Sequence, residues 1–357
     1  MPSGETIERF HIRRLSITPA ISLPERLSDV KGLDVVLIEA WGESGRVGYG
    51  DALLLPGETP ETIEQAWMIA CKLAEVSVGM AMADAIDLYA PSHSVAPHTV
   101  TALTVAVEVA AGAFVFDTPL SVPLVGVLDA SDPVIFDDSL AEVVQAGYDT
   151  ARLTLSGDLA VDREAIIQAQ SALGGSMGLR LDGDQAFTPE DAFSFVRSLD
   201  PSGIEWLAQP CVAGDWEAAT TVKDASEIPM VVSGFLYNTE DIEIAAAMGA
   251  ADIIGLKLGQ MGGFSTLQRV LNTAGENGLG VYLGGGLQSD LSTFWEASAL
   301  ASHASVISNL TGIGIALEPL LASGISRVNG SASVEVDGQP VLSPDTLEQC
   351  CVQELAF

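Results

Sequence analysis

Basic residues are scarce in this chain. Fifteen lysines and arginines face 48 aspartates and glutamates, a formal net charge of −33 over 357 residues. Such a surface repels nucleic acid and anionic membranes, so partners of either kind are not expected. The simplest reading is a solvated acidic coat of the kind that suits salt, with the gathering of cations as the alternative. Long hydrophobic runs are missing too: nothing approaches the roughly 18 uncharged apolar residues of a membrane span. The opening stretch "MPSGETIERFHIRR" has no apolar signal core, which points to the cytoplasm. The four cysteines, Cys71, Cys211, Cys350 and Cys351, have no ligand-like spacing, and a bridge between the adjacent pair would be strained. All four read as reduced thiols, with Cys211 in a packing role. His11, His93, His98 and His303 are scattered and form no His-x-x-x-His or triad context, so surface or packing roles are expected.

What is present is hydrophobic content of 48% and 35 glycines, which suit a well-packed, loop-rich globular protein. From about residue 150 a regular beat sets in. Short β-rich runs occur at "ARLTL" (151–155), "GLRLD" (178–182), "IEWLA" (204–208), "IPMVV" (228–232), "DIIGLKL" (252–258), "GVYLG" (280–284) and "SVISN" (305–309). Their spacing leaves room for one helix and two short loops each. "TPEDAFSFVRSL" offers Thr188 as N-cap with Pro189 at the first helical position, and "NTEDIEIAAAMG" has an acidic first turn and a stop at Gly249. Phe264, Leu267 and Leu271 recur at helical spacing. The alternation predicts an α/β fold with a (β/α) barrel. A doubly wound open sheet is the runner-up, but no Gly-x-Gly-x-x-Gly turn follows an early strand.

The first 125 residues differ in texture. "ERFHIRRLSITPAI" and "LDVVLIEAWGESGRVGYGDA" read as strands, the second a hairpin turning at "GESG". "TPETIEQAWMIACKLAEV" and "VTALTVAVEVAAGAFVF" read as helices. The expected organisation is an α+β domain at 1–125, a barrel domain at 126–329, and a segment at 330–357 that returns to the first domain through hairpin-like text, "SASVEVDGQPV".

Five motifs in this order, "GRVGYGDALLLPGETPET", "AVEVAAGAFVFDTPLSVPLVGVL", "LRLDGDQAFTPEDA", "WLAQP" and "DIIGLKLGQMGGFSTLQRV", resemble the enolase superfamily in its muconate-cycloisomerase and mandelate-racemase branch. The resemblance covers nearly the whole chain. It implies a modified (β/α) TIM-type barrel under an α+β N-terminal capping domain completed by the C-terminal tail. The active site would lie at the C-terminal strand ends beneath two capping loops, here around 18–26 and 51–59. The implied chemistry is abstraction of a proton alpha to a carboxylate, with Mg²⁺ stabilising the enediolate and lysines on opposite faces as acid and base. The resemblance also implies a homo-oligomer acting on a small carboxylate.

Residue by residue, the chain departs from that pattern. Asp182 stands at the first metal-ligand position, in "LRLDGDQ", but Ala208 stands at the second and Ser233, followed by Gly234, at the third. The Lys-x-Lys pair becomes "RLT", with Arg152 first and Thr154 where the base is expected. The opposite lysine is kept as Lys257, and a further acid is replaced by Gln288. One carboxylate, one hydroxyl and one methyl make a poor magnesium cage, so Mg²⁺ is expected to bind weakly or not at all. Asp184 is a weak replacement ligand, or simply a loop acid. Glu205 precedes Ala208 by an odd number of residues, which by alternation turns it to the other face. Arg152 cannot be a base at neutral pH but can hold a carboxylate, or pair with Asp182. Lys257 is the proton-transfer candidate, or else a partner for Asp182. Ser233 and Gln288 join Arg152 as candidate substrate contacts. The glycine-rich "GQMGG" and "LGGGLQS" loops read as close packing at the barrel mouth, with phosphate binding as the alternative.

Three functions stay open: a divergent isomerase or lyase using Lys257 with Asp182 or Asp184, a catalytically silent relative that binds a small carboxylate, and an assembly subunit for an active homologue. Ordinary Mg²⁺-dependent racemisation or cycloisomerisation is not expected.

Overall fold

The computed structural model of the chain describes residues 4–20, 23, 27–113, 120–130, 132–311, 313, 315–334 and 339–357. Parts of the expected 18–26 loop, the end of the "GAFVF" text and part of the "SASVEVDGQPV" hairpin therefore lie outside the described residues. The chain opens with β1 (Ile7–Ile17), β2 (Leu33–Gly42) and β3 (Val47–Leu54), then α1 (Ile63–Ser77), α2 (Met82–Tyr89) and α3 (Pro97–Ala110). β2 is buried along almost its whole length because the sheet is covered on both faces. Val36, Ile38 and Ala40 face the helices of this domain, while Leu33, Val35 and Leu37 join the core shared with the barrel. A strand buried on both sides loses the apolar–polar alternation of a half-exposed one. α1 opens on a capping box in which Thr62 and Gln65 satisfy each other's backbone N–H.

The second part follows the strand–helix beat. Its elements are β4 (Leu120–Pro123), β5 (Gly126–Leu128), α4 (Pro133–Gln145), β6 (Thr150–Thr154), α5 (Leu159–Leu173), β7 (Gly178–Asp182), α6 (Pro189–Val196), β8 (Ile204–Ala208) and α7 (Trp216–Ala225). They continue through β9 (Met230–Ser233), α8 (Thr239–Met248), β10 (Ile253–Leu256), α9 (Phe264–Glu276), β11 (Gly280–Leu283), α10 (Asp290–Ala301) and β12 (Ile307–Ser308). β5 to β12 form one parallel sheet in sequence order. It curls until a parallel bridge pairs Leu124 with Leu310, with the Val125 N–H donating to the Leu310 carbonyl at 3.0 Å. Thr188 caps α6 and Gly249 ends α8 at φ 61°, as their sequence positions suggest. Among the described residues no helix is long and apolar enough to cross a membrane.

The tail adds β13 (Leu321–Ser323), β14 (Ile325–Val328), β15 (Ser331–Val334), β16 (Val341–Leu342), α11 (Pro344–Cys350) and β17 (Cys351–Ala356). The strand that pairs with β1 is β17, whereas β15 pairs with β14 and β4. The return to the N-terminal sheet thus runs through the last six residues of regular structure and not through the "SASV" text.

α3 lies directly on β3 because two glycines leave it room. A Cβ at Gly48 would stand 1.9 Å from the Ala106 carbonyl oxygen, and one at Gly50 would stand 2.0 Å from that of Ala102. The same helix grips the barrel: the Glu108 carboxylate accepts the Phe264 and Ser265 N–H groups at 2.7 and 3.0 Å, at the N-terminus of α9. Those donors have no partner within their own helix, and the dipole there favours an anion. Gly50→Ala is expected to lower stability by about 1–3 kcal/mol, since α3 must shift to admit the methyl. Thermal melting checks this, with Gly275→Ala, where nothing stands within 4 Å, as the control that leaves the melting temperature unchanged or raises it.

Candidate active site

The parallel register sets Thr154, Asp182 and Ala208 side by side at the ends of β6, β7 and β8, and pairs Ser233 of β9 with Gly255 of β10. Asp182 is half-buried, and its Oδ2 lies 3.8 Å from Nη1 of Arg152. Of the two partners open to Asp182, it is therefore Arg152 that it faces and not Lys257. Ala208 is 4% exposed and packs among Trp206, Val231 and Tyr282. Gln209, at φ 40°, donates from Nε2 to the Cys211 carbonyl and accepts the Ser233 N–H at Oε1, locking these two strand ends together. The Ser233 side chain hydrogen-bonds Tyr282. Thr154 is exposed, and the Asp184 N–H donates to Asp182 Oδ1 at 3.2 Å. The Cys211 thiol is pushed up to about 11 by burial first and by nearby Asp215 and Glu190, which suits packing and not nucleophilic attack.

Deeper inside, Arg180 lies over the Trp206 ring at 4.1 Å, and Trp206 stacks on Tyr282 with centroids 5.5 Å apart. Arg180 Nε donates to Glu205 at 2.6 Å, and Nη1 donates to the Ser308 carbonyl at 2.6 Å and to Asn309 Oδ1 at 3.1 Å. Burial pushes the Tyr282 phenol up to about 12. Strict alternation turns Glu205 away from the Ala208 face, but the register between β7 and β8 slips there, pairing Leu179 with Ile204 and Arg180 with Trp206. The extra residue at this bulge frees Glu205 to reach Arg180. Its carboxylate is occupied at that end of the strand, so it does not stand in for the residue missing at Ala208.

A cavity of about 500 Å³ opens between residues 51–59 and the strand-end loops, walled by Asp51, His98, Lys257, Gln260, Gln288 and Glu296 among others. Asp184 also reaches this lining, whereas Arg152, Thr154, Asp182 and Ser233 do not. Lys257 follows β10, and Gly286 leaves it room: a Cβ there would stand 2.8 Å from Nζ. Among the described residues the Lys257 ammonium has neither a hydrogen bond nor an ion pair. The segment after it is held by α3 and its neighbour, through His93 Nε2 on the Gln260 carbonyl at 2.9 Å and the Gly262 N–H on Thr101 Oγ1 at 2.8 Å.

Two acids of this wall, Asp51 and Glu296, are buried away from water. Glu296 accepts the Leu258 N–H at 2.8 Å and hydrogen-bonds Gln288, but its Oε2 has no partner. Burial pushes its carboxyl up to about 7, against smaller opposing effects from Gln288, the Leu258 N–H and Lys257. Asp51 accepts the Ser289 and Ser292 hydroxyls at 2.6 and 2.9 Å, and burial still lifts it to about 6. Burial, aided by the Lys257 charge, lowers His98 to about 4, so it is a neutral imidazole. The four histidines were all expected in surface or packing roles, yet the fold brings His98 into the lining and His93 onto the backbone beside it. Glu296 and His98 carry no motif. The usable signal for Glu296 was a lone acid inside an apolar helix, "LSTFWEASALA". Among the described residues no group of three or more His, Cys, Asp or Glu side chains is placed to hold a metal ion.

Because the folded Glu296 binds its proton more tightly than an unfolded glutamate, it stabilises the native state at low pH. That contribution is lost as pH rises from the ordinary carboxylate range through about 7. Glu296→Gln is therefore expected to be more stable than the parent at pH 8, by roughly 2–3 kcal/mol, with the advantage gone near pH 4. Melting temperatures of both proteins across this range at fixed salt read the difference directly, and a gap independent of pH contradicts it.

Residues 136–332 match the family model described as enolase C-terminal domain-like. The chain is 24% identical over 293 residues to a hydrophobic dipeptide epimerase of Enterococcus faecalis, covering 75% of this chain and 80% of that protein. It is 23% identical over 352 residues to the L-Ala-D/L-Glu epimerase of Bacillus subtilis, covering 94% and 96%. The solved dipeptide epimerase of Cytophaga hutchinsonii, a complex with Mg and the dipeptide D-Ala-L-Val, superposes with a TM-score of 0.86 at 18% identity, over 98% of this chain and 99% of that one. With a family match spanning more than half its length, a barrel of eight sequential parallel strands and motifs in the matching order, the chain belongs to the enolase C-terminal domain-like family of the enolase superfamily.

Proposed function

We propose that this protein binds a small carboxylate of the amino-acid or dipeptide class in the cavity beneath residues 51–59, with Lys257 as its cation, and that it has lost ordinary magnesium-dependent α-proton abstraction. The observation that carries the first half is the unpartnered ammonium: Lys257 is the one lysine or arginine in the cavity's lining among the described residues. A cation held without a partner at a cavity wall gains most from an anionic ligand, because the attraction is little screened there. The volume suits a small ligand, and the relatives named as dipeptide epimerases support the class.

The second half rests on the donor set. Magnesium requires about six oxygens in near-octahedral geometry, with the protein supplying charged carboxylates. Of the three strand-end positions, Asp182 already faces the Arg152 guanidinium, Ala208 offers a methyl, and Ser233 is engaged by Tyr282. These residues do not fit the ion, and Arg152 serves as the counter-charge of Asp182. Thr154 supplies no base opposite Lys257.

A second reading, an isomerase or lyase that moves a proton with Lys257 and no metal, is favoured by one observation: Glu296, titrating near neutrality, lines the same cavity. Lys257→Met is expected to weaken binding of small carboxylates at least about tenfold in calorimetry. In D₂O, Mg²⁺ is expected to leave the Cα proton of bound amino acids and dipeptides unexchanged. Metal-dependent deuterium incorporation that disappears in Lys257→Met would overturn the proposal, and metal-free incorporation would select the second reading.

A further inference from the structure

His98 stands at the start of α3, in the N-terminal domain, and shares the cavity wall with Lys257 of the barrel. Its backbone N–H is held by the Glu61 carboxylate, which also accepts the Thr99 N–H at 2.9 Å and the Thr99 hydroxyl at 3.3 Å. That anchor fixes the first turn of α3 through its backbone and leaves the imidazole unengaged. Among the described residues neither ring nitrogen of His98 has a hydrogen-bond partner. The residue is half-buried, and its nitrogens are not sealed from solvent as Glu296 Oε2 and Gln260 Nε2 are. A neutral imidazole offers one donor and one acceptor, and here both are unused beside a cavity. Its neighbour His93 differs, because Nε2 is spent on the Gln260 carbonyl. Burial first, then the charge of Lys257 after β10, then His93 before α3, oppose protonation of the His98 ring. Glu61, before α1, meets its backbone, and Asp51, Glu58, Asp184 and Glu296 line the same cavity. A carboxylate seated on Lys257 would offset the nearby positive charge and give the ring an anion to meet.

We propose that His98 is the second binding group of the cavity: a ligand carboxylate lies between the Lys257 ammonium and the His98 imidazole, and the ring takes a proton from water to meet it. Binding is then coupled to proton uptake, and the site holds carboxylates more tightly in mild acid than at pH 8. The sign follows from linkage. The bound ring keeps its proton better than the free one, so the gain grows as pH falls through the bound ring's range. It levels off near pH 4, where the free ring protonates as well. The inference rests on the reading that Lys257 is the ligand's cation, and adds a group from the other domain that titrates with the ligand.

The protein has four histidines, so carbon-13 resonances of labelled rings follow His98 directly, its peak assigned by its loss in His98→Gln. The whole protein is titrated from pH 8 to pH 5 with and without saturating L-alanyl-L-leucine. The free ring is expected to keep its neutral shift down to pH 5, and the bound ring to titrate about two pH units higher than the free one, in the ordinary histidine range. Calorimetry with the same dipeptide gives the second reading. His98→Gln, which keeps a neutral donor but takes no proton, should bind within about twofold of the parent at pH 8 and about tenfold more weakly at pH 5. Asp51 and Glu296 titrate in the same range but are retained in this variant, so the difference belongs to the ring. Lys257→Met should weaken binding at both pH values. A His98 peak that stays still while the dipeptide binds, or an affinity loss in His98→Gln that is absent or equal at the two pH values, overturns the His98 site and leaves the Lys257 reading standing. A His98 response with an affinity that Lys257→Met leaves unchanged overturns the Lys257 reading alone. No binding of the dipeptide at millimolar concentration overturns both.

Discussion

Arg180 reaches from β7 across the barrel to the opposite wall, donating to the Ser308 carbonyl and Asn309 while its Nε holds Glu205 and its plane lies on Trp206. Burying an isolated cation costs several kcal/mol, and only a full set of partners offsets it. Here the partners come from two other strands, β8 and β12, and the residue after β12, and Trp206 passes the contact on to Tyr282 of β11. The interior is therefore closed by one cation and two rings. Two residues further along each strand stand Asp182 and Ala208, which inherit that closure. Arg152 and Asp182 balance each other, and Tyr282 occupies the hydroxyl of Ser233. Inside the barrel the charges of Arg180 and Asp182 meet partners, while Arg152 Nε is buried without a hydrogen bond.

The mouth is built the other way. The segment from Lys257 to Phe264 is fixed by contacts with α3 and the turn before it, at His93, Thr101 and Glu108. This rigid support holds Lys257, Gln260 and Glu296 in the cavity wall, where Gln260 Nε2 and Glu296 Oε2 are buried without a partner.

Much of the fold was legible because it rests on local rules. Each of the seven runs from residue 151 onward overlaps an observed strand, and the caps at Thr188 and Gly249 lie where the side-chain chemistry requires them. β5 escaped because three residues carry no period. Glu205 was misjudged in direction because a bulge is a property of the pairing between strands, which one strand's alternation does not contain. The strand-end residues were found through motif order, so their absences could be read directly. His98 and Glu296 were not, since they come from α3 and α10, and only the packing of helix on barrel brings them to Lys257. The neutral state of His98 and the raised carboxyl of Glu296 are likewise consequences of burial, a tertiary quantity.

The central claim is that the chemistry has left the metal position at Asp182 and that a ligand carboxylate is held by Lys257 instead. Crystals grown with a dipeptide and manganese, a magnesium substitute visible by its anomalous scattering, test it most directly. The account predicts ligand density with its carboxylate on Lys257 Nζ and no anomalous peak beside Asp182. A manganese peak bound to Asp182, with the ligand carboxylate coordinated to it, would contradict the account.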